Sequence, residues 1–298
     1  MQRVAMQRYR VTPITAQYWR PGEDYIAKIV TAVKDKVGEG DFVVISEKAL
    51  STATGNILDE SLVEPSWGAK VLAGFWMRYV WVYILGPLSH LRRTTIKHLR
   101  NYPPIEGSIH KQVALQHAGP LQALMHGSEG GIDGSNLPYS FVSLPLSNAH
   151  QIAEKIHEGL KEKLNENVGV MIVDTDKSYS WRSFHFTPRP NPVKGIKSAG
   201  GVLAYVCGRF FRLQRRATPL AIVGVRLDTE EALEIAELAN RARGCGAGRT
   251  VWDMADTFRV PLAGVSWEML ERIRHKPIVI VRMASKNMLQ RESFAKSK

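Results

Sequence analysis

Apolar positions along the chain recur with two periods. Over residues 24–37, Ile26, Ile29, Val30 and Val33 share one face at helical spacing. Residues 38–41 break that pattern, and the apolar run FVVIS at 42–46 predicts a short buried strand. Over residues 147–165, Ile152, Ile156, Leu160 and Leu164 recur every four residues, the stripe of an amphipathic helix. It leads into VGVMIV at 168–173, a second buried strand, and PLAIVGV at 219–225 and PIVIVR at 277–282 predict two more. Asp228 and Glu231 have the spacing of a capping box, so a helix is predicted from there to about Arg243. Pro103-Pro104, Gly119-Pro120 and the prolines at 188–192 mark loops. No segment repeats, and helices and strands do not alternate as regular βαβ units. The pattern therefore predicts an α+β fold and not a doubly wound sheet.

One run is apolar almost throughout. VLAGFWMRYVWVYILGPL, residues 71–88, approaches the roughly 20 residues that span a bilayer. Arg78 stands near its middle, and an arginine at bilayer depth costs at least about 2.5 kcal/mol. The run is expected to be a helix buried in protein, with a place at a subunit interface open to it. Arg78 should then find a carboxylate or carbonyl partner or reach the surface. Trp76, Tyr79, Trp81 and Tyr83 also resemble interfacial anchors, which keeps a membrane-associated segment open.

Composition narrows the class. With 44% hydrophobic and 23% charged residues among 298, the chain can bury a sizeable core, which excludes wholesale disorder. Two cysteines, Cys207 and Cys245, are too few for a disulfide framework and lack zinc-site spacing. The N-terminus has no apolar stretch behind its charges, so no signal peptide is expected. A reducing, cytoplasmic setting fits both. The excess of 40 Lys+Arg over 28 Asp+Glu, a net +12, draws anions without saying which. No zinc-finger spacing, aromatic RNA-binding motif or long basic run marks a dedicated nucleic-acid binder.

Three stretches carry candidate chemistry. HGSEGGIDGSN, residues 126–136, sets Asp133, Ser135 and Asn136 among glycines, whose backbone can approach a ligand closely and cradle phosphate. A carboxylate there is a hard oxygen ligand suited to magnesium or manganese, although the same composition suits a surface turn. In VGVMIVDTDKSYSWR an apolar strand runs straight into Asp174-Thr175-Asp176, with Trp181 and Arg182 close behind. Carboxylates at a strand end can hold a cation against nucleotide phosphate, and Arg182 could pair bidentately with an anion; a polar turn closing the strand is the plainer alternative. ARGCGAGRT, residues 242–250, looks like a phosphate loop but lacks the Lys-Ser/Thr ending of a Walker A sequence. Cys245 inside it has no paired base nearby in sequence and is expected to be structural.

In this order the stretches resemble the coenzyme F-420-0:L-glutamate ligase family, the γ-glutamyl ligases of the deazaflavin coenzyme. PGEDY (21–25), GDFVVISEKALSTATG (40–55), PSWGAKVLA (65–73), GGIDGSN (130–136) and VDT (173–175) with Trp181-Arg182 carry the resemblance. It covers residues 11–250 as one ligase-like domain, open to division into two intertwined subdomains. Residues 251–298 then read as an insertion, a closing strand at PIVIVR and a basic tail. The resemblance implies mixed or antiparallel sheets with packed helices, and a homodimer. It implies an amide ligase dependent on GTP and on Mg2+ or Mn2+, with a monovalent cation as a further candidate. GTP would phosphorylate a carboxylate of an anionic deazaflavin acceptor, and the α-amine of L-glutamate would attack the acyl phosphate. Carried over residue by residue, the metal ligands are Asp133, Asp174 and Thr175, and the catalytic residues Asp174 and Arg182. The nucleotide contacts are Glu47, Lys48, Asn136, Arg243, Gly244, Gly246 and Gly248. Neither membrane nor nucleic acid is expected as a partner.

Thr52 and Thr54 stand where the family has a lysine and a glutamate, and the lysine contacts nucleotide in the family. Lys48 is the expected substitute, on the same face as Thr52 if the strand continues. Two other readings stay open: a nucleotide- and metal-binding paralogue with another acceptor or without ligase activity, and a basic nucleic-acid-associated protein.

Overall fold

The structure, a computed structural model, describes residues 8–127 and 129–284, so the basic tail lies outside the described residues. The apolar runs form strands β2 (Phe42–Ser46), β5 (Gly169–Trp181), β8 (Gln214–Val223) and β9 (His275–Met283). With β1 (Tyr9–Ala16), β6 (Phe184–Thr187) and β7 (Ile196–Ser198) they build a seven-stranded sheet in the order β1-β9-β2-β5-β6-β7, with β8 paired to β5. The β2–β5 and β6–β7 pairs are parallel and the rest antiparallel, so the sheet is mixed and the fold is α+β. A separate ribbon pairs β3 (Ile57–Asp59) with β4 (Phe141–Ser143).

Helices cover both faces of the sheet. Helix α1 (Tyr25–Val33) starts where the Asp24 carboxylate accepts from the Ala27 N–H at 2.9 Å. Its Ile29, Val30 and Val33 pack with Ile152, Ile156 and Leu160 of the helix at Ala149–Leu164 against Val43, Ile45, Val170 and Ile172 of β2 and β5. On the opposite face the helix at Thr229–Arg243 lays Ala232, Ile235, Ala236 and Ala239 over Val44, Met171 and Val279. Asp228 caps that helix by accepting from the Glu231 N–H at 2.8 Å. The Glu231 carboxylate turns instead to Arg8, so only half of the capping box forms.

The organising strand is β5. Its partner β8 follows one edge through residues 170–180, whereas the other edge is divided between β2 at 169–173 and β6 at 179–181. Between them, residues 174–178 meet no strand on that edge among the described residues. The β5–β8 register skips from Asp174 to Lys177, a bulge that lifts Asp174-Thr175-Asp176 off the regular pleat. At the same level β2 ends and the chain turns into helix α2 (Glu47–Ala53). The opening thus made in the sheet positions the site.

A helical lobe flanks this opening. Residues Trp67–Leu88 form helix α3, long and apolar enough to cross a bilayer, with wider i→i+5 turns over Leu72–Leu85. Ala73, Met77 and Trp81 are buried at four-residue spacing, and the Trp76 and Trp81 indoles donate to the Leu124 carbonyl at 2.8 and 2.7 Å. Arg78 finds the expected carbonyl, donating to Arg100 O at 3.2 Å. The expectation that the whole run is buried is corrected. Only 28% of its most apolar window is covered, and Phe75, Tyr79, Tyr83 and Ile84 are each more than half exposed. The helix packs on its lobe through one row, which an all-round apolar run cannot reveal. After it come α4 (Arg93–Arg100) and α5 (Pro104–His117).

Charged groups also lie inside this lobe. Glu129, 2% exposed, pairs with Lys111 and with His110 Nε2, while His110 Nδ1 meets Glu60 at 2.6 Å. Burial opposes ionisation of Glu129, but His110 and Lys111 outweigh it and hold the carboxyl down at about 2. Burial likewise opposes a charge on His110, and Glu129 and Glu60 raise it well above its ordinary value. Breaking one member of a buried pair strands the other. Glu129→Gln should cost about 3–5 kcal/mol, read as a lower urea midpoint at unchanged slope. The wild-type contribution should hold above the ordinary carboxylate range and disappear as pH falls from about 4.5 towards about 2.

Candidate active site

A cavity of about 680 Å³ lies over the opening beside β5. Glu47 and Lys48 reach it from the first turn of α2, directly where β2 ends. Asp174, Thr175 and Asp176 reach it from the bulge, and Asp133 and Asn136 from the glycine-rich loop. The remaining wall is Arg243 and the loop after it, with Gly244, Gly246 and Gly248.

The deepest contact is a buried guanidinium. Arg189 donates from Nε to Asp174 Oδ2 at 2.7 Å, from Nη2 to Glu47 Oε1 and from Nη1 to the Gly130 carbonyl. The backbone at Gly131 (φ +100°) passes so close that a Cβ there would meet the guanidinium carbon at 2.5 Å. Glu47 Oε1 also accepts from the Leu146 N–H at 2.8 Å. Burial pushes the Glu47 carboxyl up; Arg189 opposes this, Asp174 adds to it, and it settles at about 8. One guanidinium thus faces two carboxylates, and burial with the neighbouring Asp174 raises the Glu47 carboxyl above its ordinary value.

A second clamp holds the glycine-rich loop. Lys48 Nζ pairs with Asp133 Oδ2 and donates to Ser135 O and Ser135 Oγ at 2.8 Å each. Asp133 Oδ1 accepts from the Ser135 N–H at 2.7 Å. Lys48 thus reaches the site, but by another geometry than expected. Residues 47–53 are helical, and four-residue spacing, not strand alternation, puts Lys48 beside Thr52, whose hydroxyl donates to Lys48 O at 2.8 Å.

Asn136 fastens the third wall. Its side chain donates to Gly248 O at 2.9 Å and accepts from the Ala247 N–H at 2.6 Å. At Gly246 (φ +58°) a Cβ would meet Asn136 Oδ1 at 2.4 Å, so this approach requires glycine. The Tyr18 hydroxyl donates to Asn136 O, and its ring stacks on His275 at 4.6 Å. Burial pulls the Arg243 guanidinium down to about 10, opposed by Asp174, which leaves it charged at neutral pH.

Asp133, Asp174, Thr175, Glu47, Lys48, Asn136, Arg243, Gly244, Gly246 and Gly248 therefore all border one cavity. Arg182 does not. It sits exposed at the β5–β6 hairpin turn (φ +55°), and the guanidinium beside Asp174 belongs to Arg189. Cys245 is exposed on the cavity wall and not packed inside. Arg189 and Tyr18 escaped the sequence pattern; the only hints were a cation between two prolines in PRP and the aromatic pair in AQYWRP.

The donor set suits a hard cation, since Asp133, Asp174 and Thr175 offer carboxylate and hydroxyl oxygens. They form no closed cage: among the described residues no three His, Cys, Asp or Glu side chains converge to hold an ion. Magnesium commonly takes one or two carboxylates and completes its shell with substrate phosphates and water. The residues fit an ion that arrives with a nucleotide.

Sequence comparison places this chain, with its mixed sheet and carboxylate-lined cavity, in a family of ligases. The chain belongs to the F420-0:Gamma-glutamyl ligase family, whose model matches residues 13–226. It is also similar to the uncharacterized protein MJ1361 of Methanocaldococcus jannaschii, 34% identical over 284 residues, covering 92% of this chain and 96% of that protein.

The Glu47 proton has a thermodynamic signature. A carboxyl raised on folding contributes stability below its unfolded value and loses that contribution as pH rises through the folded one, here from about 4.5 to about 8. Glu47→Gln keeps the shape and the acceptor but has no proton to lose. Between those pH values, the melting temperature of the ligand-free variant should fall less than that of the ligand-free wild type. Parallel curves would show that Glu47 ionises with the bulk carboxylates.

Proposed function

We propose that the protein is a GTP- and metal-dependent γ-glutamyl ligase that joins L-glutamate to a carboxylate of a deazaflavin acceptor. The supporting observation is the meeting of Asp133 with Asp174-Thr175 across one cavity that also holds Lys48 and Arg243. Phosphoryl transfer asks for positioned charge more than for covalent help from the protein. Asp133, Asp174 and Thr175 would hold Mg2+ or Mn2+, which supplies charge neutralisation for the phosphates.

The chain's own residues account for the remaining steps. Lys48 and Arg243 offset negative charge on the nucleotide, and Arg189 fixes the Asp174 carboxylate in place. The acceptor carboxylate attacks the γ-phosphorus of GTP, forming an acyl phosphate and releasing GDP. The glutamate amine then attacks the acyl carbon, the amide C–N bond forms, and phosphate leaves with the C–O bond electrons and takes up the amine proton. Lys177, Arg209, Arg215, Arg241, Arg274 and Lys276 also border the cavity and suit a site for anionic substrates.

Incubation of the protein with F-420-0, glutamate and GTP, followed by mass spectrometry, should show an acceptor one glutamyl unit heavier. Asp174→Asn should abolish glutamate-dependent phosphate release while circular dichroism stays that of the wild type. Activity equal to wild type in that variant would refute the metal assignment and the mechanism together. Lys48→Ala should raise the apparent KM for GTP more than it lowers kcat, as expected for a ground-state phosphate contact. Tight GTP binding with Mn2+ but no glutamate-dependent turnover with any deazaflavin acceptor would favour a binding paralogue.

A further inference from the structure

We propose that the exposed face of α3 docks this protein peripherally on an anionic lipid surface. The inference is independent of the ligase reading. Phe75, Tyr79 and Tyr83 form a stacked row, with ring centroids 5.7 and 6.4 Å apart, and each is more than half exposed. Trp67, Val71, Ile84 and Leu88 extend the exposed apolar surface along the helix. At its C-terminal end Arg209 donates to Ser89 O at 2.9 Å and to His90 O at 3.1 Å. Phe210 and Phe211, next in the chain, are exposed and their rings adjoin.

Charge identifies the occupant. Residues 65–105 include Lys70, Arg78, Arg92, Arg93, Lys97 and Arg100 and not one aspartate or glutamate. All six except the half-buried Arg78 are exposed. Glu64 and Glu106 stand just beyond the two ends of this stretch. Asp253, on the helix that meets α4 through the His98–Trp252 stack, turns its carboxylate to the Arg249 and Thr250 N–H groups at 3.2 Å.

A second copy related by a two-fold axis would bring these cations together, with only Glu64 and Glu106 at the ends of the stretch to offset them. Spanning is ruled out by the packing: the buried row and the two indoles bonded to Leu124 O fasten the helix to its lobe. A negatively charged bilayer satisfies both properties of the surface. Tyrosine and tryptophan rings sit at headgroup level, and Lys and Arg meet the lipid charge. An apolar face and a basic patch, each weak alone, together make attachment stable.

Vesicle flotation of the full chain tests this. The protein should float with phosphatidylglycerol vesicles at low salt and remain below with phosphatidylcholine vesicles. A Phe75→Ser/Tyr79→Ser/Tyr83→Ser variant and an Arg93→Glu/Lys97→Glu variant should each lose at least about tenfold in binding, with circular dichroism unchanged. Failure of the wild type to float with phosphatidylglycerol overturns the proposal, as does full binding by the charge-reversed variant. A wild-type dimer that the triple serine variant splits, seen by sedimentation, would assign the face to a second copy instead. RNA that displaces the protein from vesicles and binds through the same residues would assign it to nucleic acid.

Discussion

The site depends on one buried cation. Arg189 is 2% exposed, and removing a charge so completely from water is costly unless its donors are matched. They are matched by three different parts of the chain: Asp174 on β5, Glu47 at the start of α2, and the Gly130 carbonyl in the glycine-rich loop. Each contact therefore constrains the other two. The bulge can lift Asp174 only as far as the guanidinium follows, and the loop can approach only because Gly131 has no side chain. Burial and the neighbouring Asp174 raise the Glu47 carboxyl, so the second carboxylate on this guanidinium is the harder one to ionise. A lysine could not reproduce this, because a point charge on a flexible stem lacks the fixed fork of the guanidinium.

Against that centre, the outer residues of the cavity are poised differently. Lys48 reaches Asp133 from a partly exposed position, unlike the buried Arg189. The cavity thus combines a rigid floor with adjustable walls. The floor fixes the Asp174 carboxylate, and the walls carry the cations Lys48 and Arg243.

Much of the fold was legible because burial leaves a period. FVVIS, VGVMIV and PIVIVR are the three neighbouring strands at the middle of the sheet, covered on both faces, and such strands read as unbroken apolar runs. Strand β1 was not legible: YRVTPITA contains Pro13, which suits an edge strand paired on one side only. The second half of β5 and the first half of β8 were missed because polar side chains there pair with one another, as Ser178 does with Thr218 at 3.0 Å. In the site, glycine spacing and strand-end carboxylates located Asp133 and Asp174. Arg189 acts through a contact between segments far apart in sequence, which has no period. Arg182 was chosen for lying near Asp174 in sequence, but the β5–β6 hairpin turn puts it elsewhere.

The position of β9 has a consequence for how the protein is made. Its residues leave the ribosome long after those of β1 and β2, yet they pair with β1 on one edge and with β2 on the other. Strand β1, completed within the first 16 residues, has no other strand partner among the described residues. At translation rates of about 5–20 residues per second, β1 and β2 wait on the order of ten seconds to a minute for the strand that joins them. Until then each presents unpaired backbone groups to any other nascent chain. Loss of β9 would thus open the middle of the sheet and leave β1 without a strand partner among the described residues.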